Sequence, residues 1–136
     1  MKTTPATAAL LLLFLALAPL RAQEMRKPAI SNVEIHATYP GTGSIVTTLK
    51  DGKLGYRWVD GRMKGIVNEG LDYKSKEIRD SVYLVSFHDK NSFLFITTIF
   101  DLDRMVEHHT SLLFYGTPQE NSPMLEAKIT KVNWLD

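Results

Sequence analysis

From residue 32 onward, apolar and polar side chains alternate in short runs, and turn-forming residues interrupt them at similar intervals. Residues 32–39 end at Pro40-Gly41, residues 44–49 at Lys50-Asp51-Gly52, and residues 53–59 at Asp60-Gly61. Residues 64–73 lead into a charged patch at 74–80, and residues 82–88 end at Asp89-Lys90-Asn91. Residues 93–100 stop at Asp101-Leu102-Asp103, residues 106–115 open into a loop at 116–123, and residues 125–134 follow. Runs of this length, rich in Val, Ile, Thr, Tyr and Phe and bounded by Gly, Asp and Asn, have the composition of β-strands. Asp-Gly is also the dipeptide of a two-residue hairpin, because such turns need positive φ at their central residues. The spacing predicts an all-β, antiparallel sandwich or barrel of about eight strands. No window carries a helical stripe, although residues 101–109 open on a capping Asp and could hold a short helical turn.

Alternation sorts the side chains into faces. In residues 82–89, Tyr83, Val85, Phe87 and Asp89 share one face, while Val82, Leu84, Ser86 and His88 share the other. The run from Phe93 through Phe100 is apolar on both faces. A barrel strand buries only one side, so the outer side needs a cover. With no amphipathic helix available, a second copy is the simplest cover, and a homodimer through Phe93 to Phe100 and Leu112 to Tyr115 is expected.

The first 22 residues do not belong to this pattern. Lys2 precedes an unbroken apolar run at residues 8–17, and Leu20-Arg21-Ala22 offers a small residue for cleavage. This is the layout of a secretory signal peptide, and the run is shorter than the roughly 20 apolar residues of a membrane span. Cleavage is placed after Ala22, because cutting after Ala18 would leave Pro19 first. Export to a bacterial periplasm or the extracellular space is therefore expected. The domain limits are a leader at 1–22, a loose lead at 23–31 and one barrel domain at 32–136.

Composition then narrows the classes. Lys2 and Arg21 are two of the 16 basic side chains and the leader holds none of the 15 acidic ones, so the remaining chain carries −1. That balance gives no electrostatic basis for nucleic-acid capture. The chain has no cysteine. A lipid-anchoring cysteine, disulfides and thiol chemistry are thus excluded, and stability must come from core and backbone.

Tyr56, Trp58, Tyr83, Phe87 and Asp89 form the most promising pocket set, since aromatics with a few polar tips give both contact area and orientation. The same residues could simply fill a small barrel, and Asp89 could be just the first residue of a turn. Glu107-His108-His109 invites a metal reading, but in a strand only Glu107 and His109 share a face, and a third ligand would have to come from His36 or His88. This stretch is read as a solvated face, and neither metal nor cofactor is expected. Gly41-Thr42-Gly43-Ser44 has no following helix to complete a phosphate cradle. Lys50, Lys53, Arg57, Arg62 and Lys64 read as edge protection rather than an anion site.

Several of these residues also carry a resemblance. Gly55-Tyr56-Arg57, the turn at Met63-Lys64-Gly65, the strand Ser81-Val82-Tyr83-Leu84-Val85-Ser86-Phe87 and the closing Ala127-Lys128-Ile129-Thr130-Lys131-Val132 resemble the MoaF-like and phenolic acid decarboxylase group of calycin barrels. The third of these is similar to the group's "vYxVSW" strand, with Phe87 in the Trp position. The resemblance implies a lipocalin-like (calycin) barrel with a central pocket, to which Ile66 and Asn68 would add. Where the chain departs from the group's pattern, decarboxylase activity is disfavoured. The decarboxylases have an arginine where this chain has Ile66, and a glutamate where it has Asp89. Without the guanidinium there is no bidentate clamp on a substrate carboxylate. The MoaF-like side is the closer likeness.

The expected function is binding of a small apolar or aromatic molecule inside the barrel. The alternatives are a lyase-like enzyme using Asp89 as acid or base on a phenolic or conjugated substrate, and a non-catalytic structural or interaction module.

Overall fold

The computed structural model describes residues 27–136 apart from Asn91. The signal peptide expected at 1–22 and its cleavage point lie outside the described residues. Eight strands form a closed antiparallel barrel in chain order: β1 Val33–Tyr39, β2 Gly43–Lys50, β3 Lys53–Trp58, β4 Val67–Arg79, β5 Val82–Asp89, β6 Leu94–Asp101, β7 Val106–Leu113 and β8 Met124–Trp134. Strand β8 returns to pair with β1, so no sheet edge is left free. The lipocalin-like architecture expected from the sequence is the one observed.

Local chemistry explains most of the boundaries. Asp51 (φ 51°) and Gly52 (φ 73°) make the two-residue link between β2 and β3, as the Asp-Gly signal requires. Asp60-Gly61 does something else. It sits in a loop at residues 59–66 that presses backbone to backbone on the β1–β2 turn. A Cβ at Gly61 would run into the Thr42 carbonyl. The Arg62 N–H donates to Thr42 O at 2.9 Å, and Ser44 N–H donates to Asp60 Oδ1 at 2.5 Å. The second two-residue hairpin is therefore absent because this Gly is needed for loop docking.

Strand β4 also departs from expectation. It starts at Val67 rather than 64 and runs through the charged patch to Arg79. Lys74-Ser75-Lys76-Glu77 keeps a period of two, and the stretch pairs with β5 from Tyr73↔Phe87 to Arg79↔Val82. Charge marked the outer face of a strand here, not the end of one. At residues 102–105 the chain forms a turn, with Arg104 N–H donating to Asp101 Oδ1 at 2.9 Å. The capping Asp is real, but β7 begins at Val106 and no helix follows.

The core is the barrel interior. Val33, Ile35, Ala37 and Tyr39 of β1 face in, with Leu49, Leu54, Tyr56, Val85, Phe87, Ile96, Phe100, Ala127 and Ile129 from the other strands. Register shifts between His36 and Ala37, Leu54 and Tyr56, and Glu77 and Arg79 bend the strands enough to close the circle. One opening lies at the β2–β3, β4–β5 and β6–β7 turns, beside the start of β1. The end of the lead crosses it. Ala29 N–H donates to Ser75 Oγ at 2.8 Å, Tyr73 Oη–H donates to Ile30 O at 2.8 Å, and Ile30 is only 2% exposed. Since β4 stands three strands away from β1, these bonds span the opening, and Ile30 plugs it. The lead's last residues are thus part of the domain's core. The opposite end, bearing the other four connections, is the mouth.

Candidate functional site

The sequence-derived pocket residues separate into groups. Tyr56 and Phe87 face each other across the interior, ring centroids 6.1 Å apart. Asn68 Nδ2 donates to the Tyr56 hydroxyl at 2.6 Å. Burial raises the Tyr56 pKa, the Asn68 bond works against that rise, and the nearby Asp89 charge adds to it. Tyr56, Asn68, Phe87 and Asp89 therefore do come together. Asp89 is 0% exposed rather than sitting at an open mouth, and its Oδ1 accepts the Ser92 N–H at 3.3 Å. That bond ties the carboxylate to the β5–β6 turn.

Three expected members stand elsewhere. Ile66 is 41% exposed on the loop before β4 and lines no part of the interior. Tyr83 lies toward the plugged end, where the charges of Glu77 and Asp80 help burial to raise its pKa. Trp58 is half-buried at the mouth and packs on Tyr39, centroids 5.7 Å apart.

That contact leads to a constellation that the sequence reading placed wrongly. Glu107 and His109 are not a solvated face; both point into the barrel. Glu107 is 4% exposed. Its Oε1 accepts the Tyr39 hydroxyl at 2.5 Å, while Oε2 is buried and meets no hydrogen-bond donor among the described residues. His109 stacks edge-on to Tyr39 (centroids 5.8 Å, planes at 81°), with its Nδ1 4.0 Å from Glu107 Oε1 and 3.3 Å from Thr98 Oγ1. Register explains the meeting. Glu107 pairs with Phe100 of β6 and Ala127 of β8, and small Ala127 leaves the space that Tyr39 fills from β1. His108, of opposite parity, is exposed and faces Glu126 at 3.5 Å.

Desolvation sets the charges of this group. Burial pushes the Glu107 pKa from 4.5 to about 7, against the lowering effect of the Tyr39 hydrogen bond. Burial also depresses His109 to about 4, so its ring is neutral at pH 7. Burial and the adjacent carboxylate push the Tyr39 hydroxyl up, which keeps it a donor. The arrangement is a proton-exchanging carboxyl group beside neutral hydrogen-bonding groups and aromatic faces. Among the described residues no three His, Cys, Asp or Glu side chains gather as a metal site.

Two surface basins lie outside the interior constellation. One, of about 390 Å³, lies over the outer face of β2 and β3 among Glu34, Lys50, Lys53, Arg57 and Glu69. Its charges are of both signs and partly paired: Arg57 reaches Glu34 at 3.6 Å, and Lys53 reaches Asp72 at 2.5 Å. The other, of about 480 Å³, is apolar and lies between the β5–β6 and β7–β8 loops, lined by Phe93, Phe114, Thr117 and Gln119. Phe93 (φ 53°) and Phe114 (φ 51°) are both in the left-handed region and are joined by a Phe114 N–H to Phe93 O bond of 3.2 Å. The two residues are 56% and 50% exposed, with Phe95 and Tyr115 exposed beside them.

No protein-family profile matches the chain, and no curated protein does. Among solved structures it is similar to a "putative beta-lactamase" from Burkholderia vietnamiensis, with a TM-score of 0.65 over 76% of this chain and 96% of that one. The two are 13% identical, so the likeness concerns the fold alone.

Proposed function

We propose that this is an exported barrel of MoaF-like type that holds a small, largely apolar or aromatic molecule in the mouth half of its interior. The observation that carries this is Glu107: a carboxyl group inside the barrel, with one oxygen held by Tyr39 and the other without a donor among the described residues. An unsatisfied buried carboxylate costs several kcal/mol, and a core built only for stability would place an apolar side chain there. Perturbed titratable groups beside aromatic faces are what binding interiors contain. The plug at Ile30 leaves the mouth as the way in. Half-buried Trp58, Ile45, Leu94 and His109 are the side chains with room to yield to an occupant.

Trp58 supplies the test. With Trp134 replaced by Phe, the remaining Trp reports on the mouth, and N-phenyl-1-naphthylamine serves as an apolar probe. Saturable one-to-one quenching of Trp58 supports interior binding. Probe uptake that leaves Trp58 emission unchanged places the probe outside and overturns it.

A second reading concerns the exterior. We propose that Phe93, Phe95, Phe114 and Tyr115 form the contact with a second copy of the chain. Two bulky residues are held at positive φ there with their rings in solvent, a costly arrangement for a surface without a partner. Beneath them His88 Nε2 is buried without a hydrogen-bond partner among the described residues, its ring 6.0 Å from Tyr115 and 6.3 Å from Phe95.

A further inference from the structure

Resting on the interior-binding reading, we infer that the occupant is an organic ammonium ion whose N–H groups bond the unpartnered Glu107 oxygen while its apolar part lies against Tyr39 and Trp58. Three observations converge on this class. Among the described residues buried Glu107 has only the His109 ring, at 4.0 Å, as an ion-pair neighbour, whereas Glu34, Asp72 and Asp101 on the outside and at the rim each have a Lys or Arg. The surroundings of Glu107 therefore prefer positive charge. The groups around Glu107 are of one kind as well. Tyr39 from β1 already donates its proton to Oε1, and His109 from β7 is neutral. Strand β6 offers Thr98 and Phe100, β8 offers Ala127 and Ile129, and β3 offers Trp58. None of these can neutralise a carboxylate. Finally, Trp58 and His109 both pack on Tyr39, with planes at 43° and 81°, so aromatic faces of several orientations lie around the ring whose hydroxyl holds the acid. A cation is attracted to such faces, and the attraction grows when water is excluded.

The chemistry is a proton exchange. Near neutral pH Glu107 is about half protonated, and an arriving ammonium binds its anionic form. One proton leaves Glu107 for solvent, and the ammonium keeps its own. A neutral alcohol of the same shape gains much less, because it brings no charge to a desolvated carboxylate. An anion is repelled by the ionised Glu107 carboxylate.

Calorimetric titration with 2-phenylethylammonium and octylammonium, each matched to its alcohol, tests the assignment on the full chain and on Glu107→Gln. At pH 8 the cations are expected to bind at least tenfold more tightly than the alcohols. Between pH 8 and pH 6 their affinity should fall about tenfold as Glu107 takes up its proton, while the alcohols' affinity stays level. Glu107→Gln should erase the preference for cations and still bind the alcohols within about threefold, which a merely misfolded variant could not do. Equal affinity for both classes at pH 8, or a preference that survives Glu107→Gln, overturns the ammonium assignment and leaves interior binding intact. If none of the four compounds binds the parent protein, interior binding fails along with it.

Discussion

Glu107 makes stability and the proposed binding pull against each other. Its folded pKa is raised above the ordinary value of 4.5, to about 7, so the folded state binds the proton more tightly than the unfolded chain. Its contribution is fully present below about pH 4.5 and is lost as pH rises through 7. At about 1.4 kcal/mol per pKa unit this loss comes to about 3 kcal/mol. Glu107→Gln keeps the acceptor for Tyr39 and removes the titration. Denaturant unfolding should show the variant gaining on the parent by about 3 kcal/mol between pH 4.5 and pH 8; parallel pH profiles would remove the buried proton from the account. His109 acts in the opposite sense. Its folded pKa is depressed to about 4, so its contribution is present above the ordinary 6.5 and is lost as pH falls. Phe93 and Phe114 pose a simpler residue-scale test. Asn adopts the left-handed region more readily than Phe, so Phe93→Asn and Phe114→Asn should each leave the monomer as stable or more stable, by up to about 1 kcal/mol. A clear loss of melting temperature would mean that the rings serve the monomer's own packing.

Among the elements, the crossing at residues 29–32 carries the clearest prediction. Ile30 lies in the core outside any strand. Ile30→Ala should cost about 2–5 kcal/mol, as for other buried Ile truncations, and chemical denaturation would measure it. A cost below about 0.5 kcal/mol, the scale of surface substitutions, would show that the plug contributes little. In the sequence this segment reads as a loose lead, because a single Ile beside Pro28 has no periodicity to reveal it. The eight strands, by contrast, were legible, since each carries its own alternation and its own turn residues. Strand β4 was shortened in that reading because Lys74, Lys76 and Glu77 look like a break, although small, inward Ser75 keeps the period. Half of the site was legible for the same reason. Aromatic Tyr56 and Phe87 declare their face, and Asp89 and Asn68 follow by parity or likeness. Glu107 and His109 were not. Polar residues on alternate positions normally mark the wet side of a strand, and only the register with Ala127 and the reach of Tyr39 from β1 reveal that this wet-looking side is the inside. The one available signal was their shared parity, with Ser111 and Leu113 on the same face.

At the scale of the whole molecule, the barrel is a cup: plugged by Ile30 at one end, acidic and aromatic inside, and flanked at the mouth by exposed phenylalanines. The exterior reading predicts a two-fold dimer, seen by sedimentation at micromolar concentration, that dissociates in the Phe93→Asn, Phe114→Asn double variant. A parent that stays monomeric at high micromolar concentration would contradict it without touching the interior. The interior claim rests on one buried carboxyl group that exchanges its proton for a ligand, and that group can be watched directly. The ¹³C carboxyl resonance of Glu107, followed against pH with and without saturating 2-phenylethylammonium, should titrate near pH 7 in the free protein. With the cation bound, the midpoint should move down by at least one pH unit. A midpoint near the ordinary 4.5, or one that does not move when the cation is added, would contradict the account.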